Sequence, residues 1–290
     1  MQCKMCPRGC KADRVTAFGI CGMDADMRIA RIAPHFFEEP CISGTLGSGT
    51  VFFSGCCLKC CYCQNGAISH RREGRLFTPG ALARSIKQLV GKGAHNINFV
   101  TPTHFTDKII EALQIYRPPV PIIWNTSGYE TLAALKKLDG LVDIYLPDLK
   151  HFSSKMSALI CGAPDYFEMA SQAIKEMCRQ TGAAVYDENG LMQRGTLVRH
   201  LILPGLTGES IKLLDWFKES LPENTPLSLM RQYYPANNVA VKGLDRRITE
   251  REYERVLNRM LTLDINGFTQ EKESADASYT PAFNHQDSFL

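Results

Sequence analysis

The chain has no apolar run approaching the ~18 residues that a membrane-spanning helix needs. Its first residues, Met1-Gln2-Cys3-Lys4, lack the hydrophobic stretch of a signal region. It has little charge of either sign to spare. The 33 Lys and Arg against 30 Asp and Glu leave a formal net charge of +3, too slight a field to draw the protein onto nucleic acid or an anionic membrane. Neither is therefore an expected partner. Low-complexity tracts are absent, as is any internal repeat beyond the alternation described below. The composition, 44% hydrophobic and 22% charged over 290 residues, is that of an ordinary soluble protein with room for a sizeable core.

Cysteine breaks this pattern. Twelve cysteines without a secretory signal point to a reducing cytoplasm, where clustered thiols bind metal more often than they pair as disulfides. Five of them fall in the eight residues Cys56-Cys57-Leu58-Lys59-Cys60-Cys61-Tyr62-Cys63, directly after the apolar run Val51 to Phe53 that reads as a strand. The spacing C-x-x-x-C-x-x-C closes only through Cys56, Cys60 and Cys63; begun at Cys57, its third place falls on Gln64. Cys57 and Cys61 are left as neighbours. The loop lacks a fourth ligand, so it cannot close a structural zinc site. Three thiolates can hold three irons of a cubane cluster and leave one iron open, which marks chemistry more than scaffolding. An inert group of buried cysteines is the alternative, and a lysine in a polar turn among five thiols weighs against it.

Residues 1–43 form a Cys-rich N-terminal segment. Cys3, Cys6, Cys10 and Cys21, separated by Gly and Pro turns, match the ligand count of a second metal site, zinc or iron–sulfur, with a disulfide pair as the bland alternative. Cys41, Cys161 and Cys178 have no such spacing, and the last two read as core.

From Gly44 the pattern becomes regular. Strands are expected at Thr50 to Ser54, Ile97 to Thr101, Pro121 to Thr126, Val142 to Leu146, Leu197 to Leu203 and Leu227 to Tyr233. Helices are expected after Thr78-Pro79, over Thr106 to Ile115, Glu130 to Leu138, Tyr166 to Gln180 and Gly208 to Leu221, and from the capping box Thr249 to Glu252 through Leu261. Asp187-Glu188-Asn189-Gly190 suggests an added hairpin. Six strand–helix units in alternation predict an α/β fold with a parallel sheet and helices outside it, over residues 44–265, followed by a polar tail or covering loop over 266–290. In such folds functional groups gather at the C-terminal strand ends. Those ends carry the cysteine loop, Thr101-Pro102-Thr103-His104, Asn125-Thr126-Ser127-Gly128, Asp148-Leu149-Lys150-His151, Arg199-His200 and Gln232-Tyr233-Tyr234. His104, His151 and His200 read as structural, and Tyr233 and Tyr234 as core or cavity lining.

These motifs resemble those of radical S-adenosylmethionine (radical SAM) enzymes, in particular relatives of pyruvate formate-lyase-activating enzyme and, among them, an uncharacterised branch with a Cys-rich N-terminus. The resemblance spans roughly Gly44 to Leu263. It implies a partial (β/α)6 barrel in which Cys56, Cys60 and Cys63 hold a [4Fe-4S] cluster and S-adenosylmethionine chelates the fourth iron. It also implies that Tyr62 lies near the adenine, and that Asn125, Thr126, Asp148, Lys150 and Arg199 contact the cofactor. Thr101-Pro102-Thr103 stands where activating enzymes carry Gly-Gly-Glu; because Pro has no N–H, Thr101 and Thr103 would supply that contact through oxygens. Asn125, in place of an Asp, removes a charge from the activase's monovalent cation site. The implied reaction is reductive cleavage of S-adenosylmethionine to a 5′-deoxyadenosyl radical that abstracts hydrogen, with a low-potential donor such as flavodoxin or ferredoxin. The substrate is a glycyl-radical protein, a peptide or a small molecule. A zinc-binding or electron-transfer protein without catalysis is the non-enzymatic alternative.

Overall fold

The computed structural model describes residues 2–290 except 237, 238, 240, 272, 273, 276–280, 282, 284–288 and 290. Before the first expected strand, β1 (Arg28–His35) runs antiparallel to β2 (Ser48–Phe53), with the short α1 (Pro40–Ser43) between them. After β2 come the cysteine loop, α2 (Gly66–Arg71) and β3 (Arg75–Leu76), which pairs with the outer side of β1. The regular units follow. Thr78 caps α3 (Pro79–Gly91), its hydroxyl accepting from Ala81 N at 3.2 Å. β4 (Ile97–Val100) then leads to α4 (Thr106–Ile115), and β5 (Ile122–Thr126) to α5 (Leu132–Leu138). β6 (Ile144–Pro147) is followed by two helices, α6 (Ser154–Cys161) and α7 (Tyr166–Thr181). The expected hairpin forms between β7 (Val185–Tyr186) and β8 (Met192–Thr196). β9 (Val198–Leu201), α8 (Thr207–Ser220), β10 (Leu227–Met230) and α9 (Glu250–Thr262), the last opened by the Thr249–Glu252 capping box, complete the series before β11 (Gly267–Thr269).

β2, β4, β5 and β6 pair in parallel in that order, and β9, β10 and β11 do the same. β8 extends the first set beyond β6, and the two sets meet where Asp148 bridges Arg199, with Leu149 N donating to Arg199 O at 2.7 Å. The sheet therefore curves as a partial barrel. Strand alternation points Val51, Phe53, Phe99, Trp124 and Tyr145 outward against α3, α4, α5 and α7, and Val198, Leu227 and Leu229 against α8 and α9. The opposite parity places Phe52, Asn98, Val100, Asn125, Asp148 and Arg199 inside. Cys41 and Ile42 of α1 pack on Ile123, Ile144, Leu146 and Leu197, filling one end of the barrel.

Several features depart from expectation, among them helices α2 and α6, which no expected element covers. Strand β1 lies within the Cys-rich segment, where the surrounding cysteines and turns obscure its apolar pattern. Strand β11 has only three residues, yet it extends the parallel sheet past the last helix. Helix α5 starts at Leu132, because Thr131 is the cap and Glu130 turns into the core. Of the tail, Phe283 packs edge-on to Phe52 at 5.5 Å and Phe289 stacks on Phe77 at 5.8 Å. Asp276, Ala277 and Ser278, part of the expected covering loop, lie outside the described residues. Among those described, no helix is long and apolar enough to cross a membrane.

A candidate cluster and cofactor site

The cysteine loop leaves β2 through Gly55, whose φ of +82° and lack of a side chain are both needed: a Cβ there would lie 2.5 Å from Met23 Cγ and 2.8 Å from Cys21 O. The loop is fastened from two sides. From the N-terminal segment, Cys21 O accepts from Cys56 N at 3.2 Å, and Arg8 Nε donates to Cys57 O at 2.8 Å. From the end of α6, Cys161 O accepts from Lys59 N at 3.1 Å and Ile160 O from Cys61 N at 2.9 Å. Arg8 reaches α6 as well, donating to Cys161 O at 3.2 Å and also to Gly162 O. Held in this way, the loop turns Cys56, Cys60 and Cys63 toward one cavity of about 180 Å³. Cys57 is buried on the other side with Cys6, and neither it nor Cys61 lines the cavity.

The thiols differ in their readiness to ionise. A hydrogen bond with Cys57 holds Cys56 down to about 7, helped by Leu58 N–H, Lys150 and Lys59. Its hydrogen bond with Cys161, then burial, pushes Cys60 up; burial pushes Cys63 up. Among the described residues no three His, Cys, Asp or Glu side chains converge on a single-ion position. One zinc draws its thiolates to ~2.3 Å, whereas a cubane spreads its ligands over separate irons. Three separated thiols on one cavity wall suit the cubane.

Opposing charges from two neighbouring strands, β6 and β9, line the same cavity. Lys150 Nζ donates to Asp148 Oδ2 at 2.6 Å. Arg199 commits all three nitrogens, Nε to Asp148 at 3.1 Å, Nη1 to Glu38 at 3.0 Å and Nη2 to Asn125 Oδ1 at 2.6 Å. Burial pulls Asp148 upward, but Lys150 and Arg199 outweigh it and hold the carboxyl below its ordinary value. Tyr62, Thr101, Asn125, Thr126, Asp148, Lys150 and Arg199 therefore share one cavity with the three thiols. Thr101 sits at φ +58°, a strained value for a non-glycine residue and of the kind found at functional sites.

Thr103 is placed elsewhere. Its hydroxyl donates to Glu130 Oε1 at 2.6 Å, and it does not line the cavity. Glu130 also accepts from Thr126 Oγ1 at 2.6 Å and Trp124 Nε1 at 3.3 Å. Glu130 and Glu38 are the acids that the sequence reading missed. The signal for Glu130 was its place two residues after Gly128 in the third strand-end loop; for Glu38, which stands in an acidic pair before Pro40, no spacing marks the role.

The histidines serve the frame. His104 Nε2 meets Ser54 O at 2.7 Å, while His200 bridges Leu149 O at 2.7 Å and Ser210 Oγ at 2.8 Å. Burial keeps both neutral, lowering His104 to about 3 and His200 to about 4. Tyr62 Oη lies 3.3 Å from His151 Nε2. In the N-terminal segment Cys6 turns to Cys57, whereas the thiols of Cys10 and Cys21 flank Gly19 and Cys3 is only half-buried. Among the described residues, no three of these thiols converge on one ion position.

The chain is 27% identical over 266 residues to an uncharacterized protein of Methanocaldococcus jannaschii, a match covering 88% of this chain and 73% of that protein. In fold it is similar to Streptococcus suis SuiB, solved bound to the precursor peptide SuiA, with a TM-score of 0.52 and 13% identity over 77% of this chain and 48% of SuiB. It is also similar to a radical SAM methyltransferase from Sphaerobacter thermophilus, with a TM-score of 0.52 and 14% identity over 77% of this chain and 66% of that enzyme. The chain thus spans about half the length of SuiB and just under two thirds of the methyltransferase. Residues 50–217, more than half the chain and the stretch that carries the three thiols and the Asp148–Arg199 pair, match the profile of the Radical SAM superfamily. The protein belongs to that superfamily of enzymes, whose cofactors are a [4Fe-4S] cluster and S-adenosylmethionine.

Proposed function

We propose that this protein reductively cleaves S-adenosylmethionine and uses the 5′-deoxyadenosyl radical to take a hydrogen atom from its substrate, in the manner of the glycyl-radical-enzyme activases. One observation carries the reading: Cys56, Cys60 and Cys63 line a single cavity together with the Asp148–Lys150–Arg199 network. When bound, the cluster and S-adenosylmethionine supply the one-electron reduction and the hydrogen-abstracting group.

The chain's own part is to hold and orient. Three thiolates from one loop would take three irons and leave the fourth to the cofactor's amino and carboxylate groups. Lys150 gives one of its three donors to Asp148, and the rest of the ammonium suits a carboxylate within the cavity. Asn125 and Arg199 hold each other, so the polar wall is ordered before any ligand arrives. Tyr62, 8% exposed, presents its ring at the cavity beside the last cysteine and is a platform for an adenine. A low-potential flavodoxin or ferredoxin is the proposed electron donor.

The activase-type substrate is favoured by the Asp148-Leu149-Lys150 and Leu203-Pro204-Gly205 stretches, which are similar to that family's motifs. Anaerobically reconstituted protein given dithionite and S-adenosylmethionine should release 5′-deoxyadenosine, and Cys63→Ala should release none. Equal release from both, or none from the wild type, rules the reading out. A glycyl-radical signal in electron paramagnetic resonance, on adding a glycyl-radical enzyme encoded beside this gene, would support the activase form; hydrogen loss from a small molecule instead would discard that form.

A further inference from the structure

A second chamber of about 100 Å³ lies beside the main cavity, sharing Asn65, Asn125, Arg199 and Gln232 with it and bounded elsewhere by Glu38 and Phe52. Lys150 does not line it.

Charges in this wall cancel. The three Arg199 nitrogens are committed to Asp148, Glu38 and Asn125. Glu38 accepts Arg199 on Oε2, and on Oε1 it accepts Asn98 Nδ2 at 3.0 Å and Asn125 Nδ2 at 3.1 Å. His35, also at the wall, is held neutral near pH 7 by burial and by Arg31. An entering carboxylate or phosphate would find no uncommitted cation among the described lining residues and would face the Glu38 charge in a partly dehydrated space.

Neutral hydrogen-bonding groups are better served. Asn65 Oδ1 is buried with no partner among the described residues. Gln232 takes the Gln270 amide on its own oxygen at 2.8 Å, which leaves its NH2 as a donor. One acceptor and one donor complement the C=O and N–H of a carboxamide or peptide unit, and the Phe52 face gives it an apolar floor.

We infer that this chamber takes a neutral, amide-bearing part of the substrate and rejects free carboxylates and phosphates. The inference rests on the main cavity holding S-adenosylmethionine, and it specifies what sits alongside.

Trifluoroacetamide and trifluoroacetate, similar in shape and opposite in charge state, are suitable probes. Their 19F linewidths would be read first on the metal-free protein, then on the reconstituted protein with S-adenosylmethionine. The amide should bind at least ten-fold more tightly than the anion. Phe52→Trp, which fills the chamber, should abolish its broadening, and Asn65→Leu should weaken it in a protein whose circular dichroism is unchanged. Glu38→Gln, which leaves Arg199 with one carboxylate fewer, should narrow the preference. Trifluoroacetate binding as well as the amide, broadening of neither probe, or broadening unaffected by both Phe52→Trp and Asn65→Leu overturns the inference. Probe binding requires no turnover. Discrimination without 5′-deoxyadenosine release would therefore sink the functional reading alone, and release without discrimination would sink this one alone.

Discussion

Glu130 Oε1 accepts at 2.6 Å from both Thr103 and Thr126, hydroxyls that follow or end the neighbouring strands β4 and β5. One buried carboxyl thus ties together two strand ends of the cavity mouth. Burial raises it from 4.5 to about 7, although its three donors pull the other way. The folded state therefore keeps a proton that the unfolded chain has already lost. Stability contributed by this group is fully present below about 4.5 and falls as pH rises to about 7, after which it levels off. Glu130→Gln has no such proton. The stability difference between wild type and variant should shift by about 3 kcal/mol across that window, in the variant's favour at high pH. Urea unfolding at pH 5 and pH 8 measures it, and parallel curves for the two proteins would count against the assignment.

Glu130 also shows where sequence reading stops. Thr101, Thr103 and Thr126 are equivalent as polar residues near strand ends, yet only Thr101 and Thr126 reach the cavity. The short 3-10 turn Thr103–Phe105 rotates Thr103 away toward Glu130. The three cysteines that share the cavity are those that the spacing singles out, a pattern legible because it is local. The pairing of Asp148 with Arg199 was partly legible, since parallel strand ends converge whatever their separation in sequence. Glu38 was not: it meets Arg199 across 161 residues, carried there by a strand and a four-residue helix in a segment whose cysteines dominate its pattern.

The cysteine register makes a sharp mutational prediction. Cys56→Ala, Cys60→Ala and Cys63→Ala should each lose most of the protein's iron and of the visible absorption that Cys-ligated clusters give, because each removes a thiol at the cavity. Cys57→Ala and Cys61→Ala should retain both. Cys57 is 2% exposed and packs with Cys6 and Leu58, so its truncation should cost about 1 kcal/mol of stability while leaving the ligands in place. Iron quantitation on the five variants decides it; loss of iron in Cys57→Ala would mean that the register is wrong.

Arg199 joins Glu38 and Asp148, with the three side chains 13%, 10% and 20% exposed. Removing the guanidinium leaves Glu38 without its cation and Asp148 with Lys150 alone, both with little water. Arg199→Ala should therefore lose about 3 kcal/mol of unfolding free energy. Arg199→Lys should do nearly as badly, since a point charge cannot reach three partners in one plane. The double variant Arg199→Met with Glu38→Gln should recover part of the loss, because it removes a stranded charge. Urea midpoints measure all three, and a double variant no more stable than Arg199→Ala would show that the pair is not energetically coupled.

Gly128 and Gly140 allow strain to be separated from function. Both sit at φ +76°, so Ala costs each a left-handed backbone penalty of ~1 kcal/mol. A Cβ on Gly140 would meet no described atom beyond its chain neighbours within 4 Å, whereas a Cβ on Gly128 would stand 2.5 Å from Asp148 O. That carbonyl is 2.7 Å from the Tyr166 hydroxyl, which is also 2.8 Å from Ser127 O and so staples the ends of β5 and β6. Gly128→Ala must push the Asp148 backbone away and carry with it the carboxylate that anchors Lys150 and Arg199. Gly140→Ala should lower stability by about 1 kcal/mol and leave S-adenosylmethionine binding unchanged. Gly128→Ala should lower stability further and weaken that binding at least ten-fold. Equilibrium dialysis of S-adenosylmethionine against the reconstituted variants provides the comparison. Equal affinities would mean that Asp148 can move without disturbing the cofactor, and its place at the site would then be incidental.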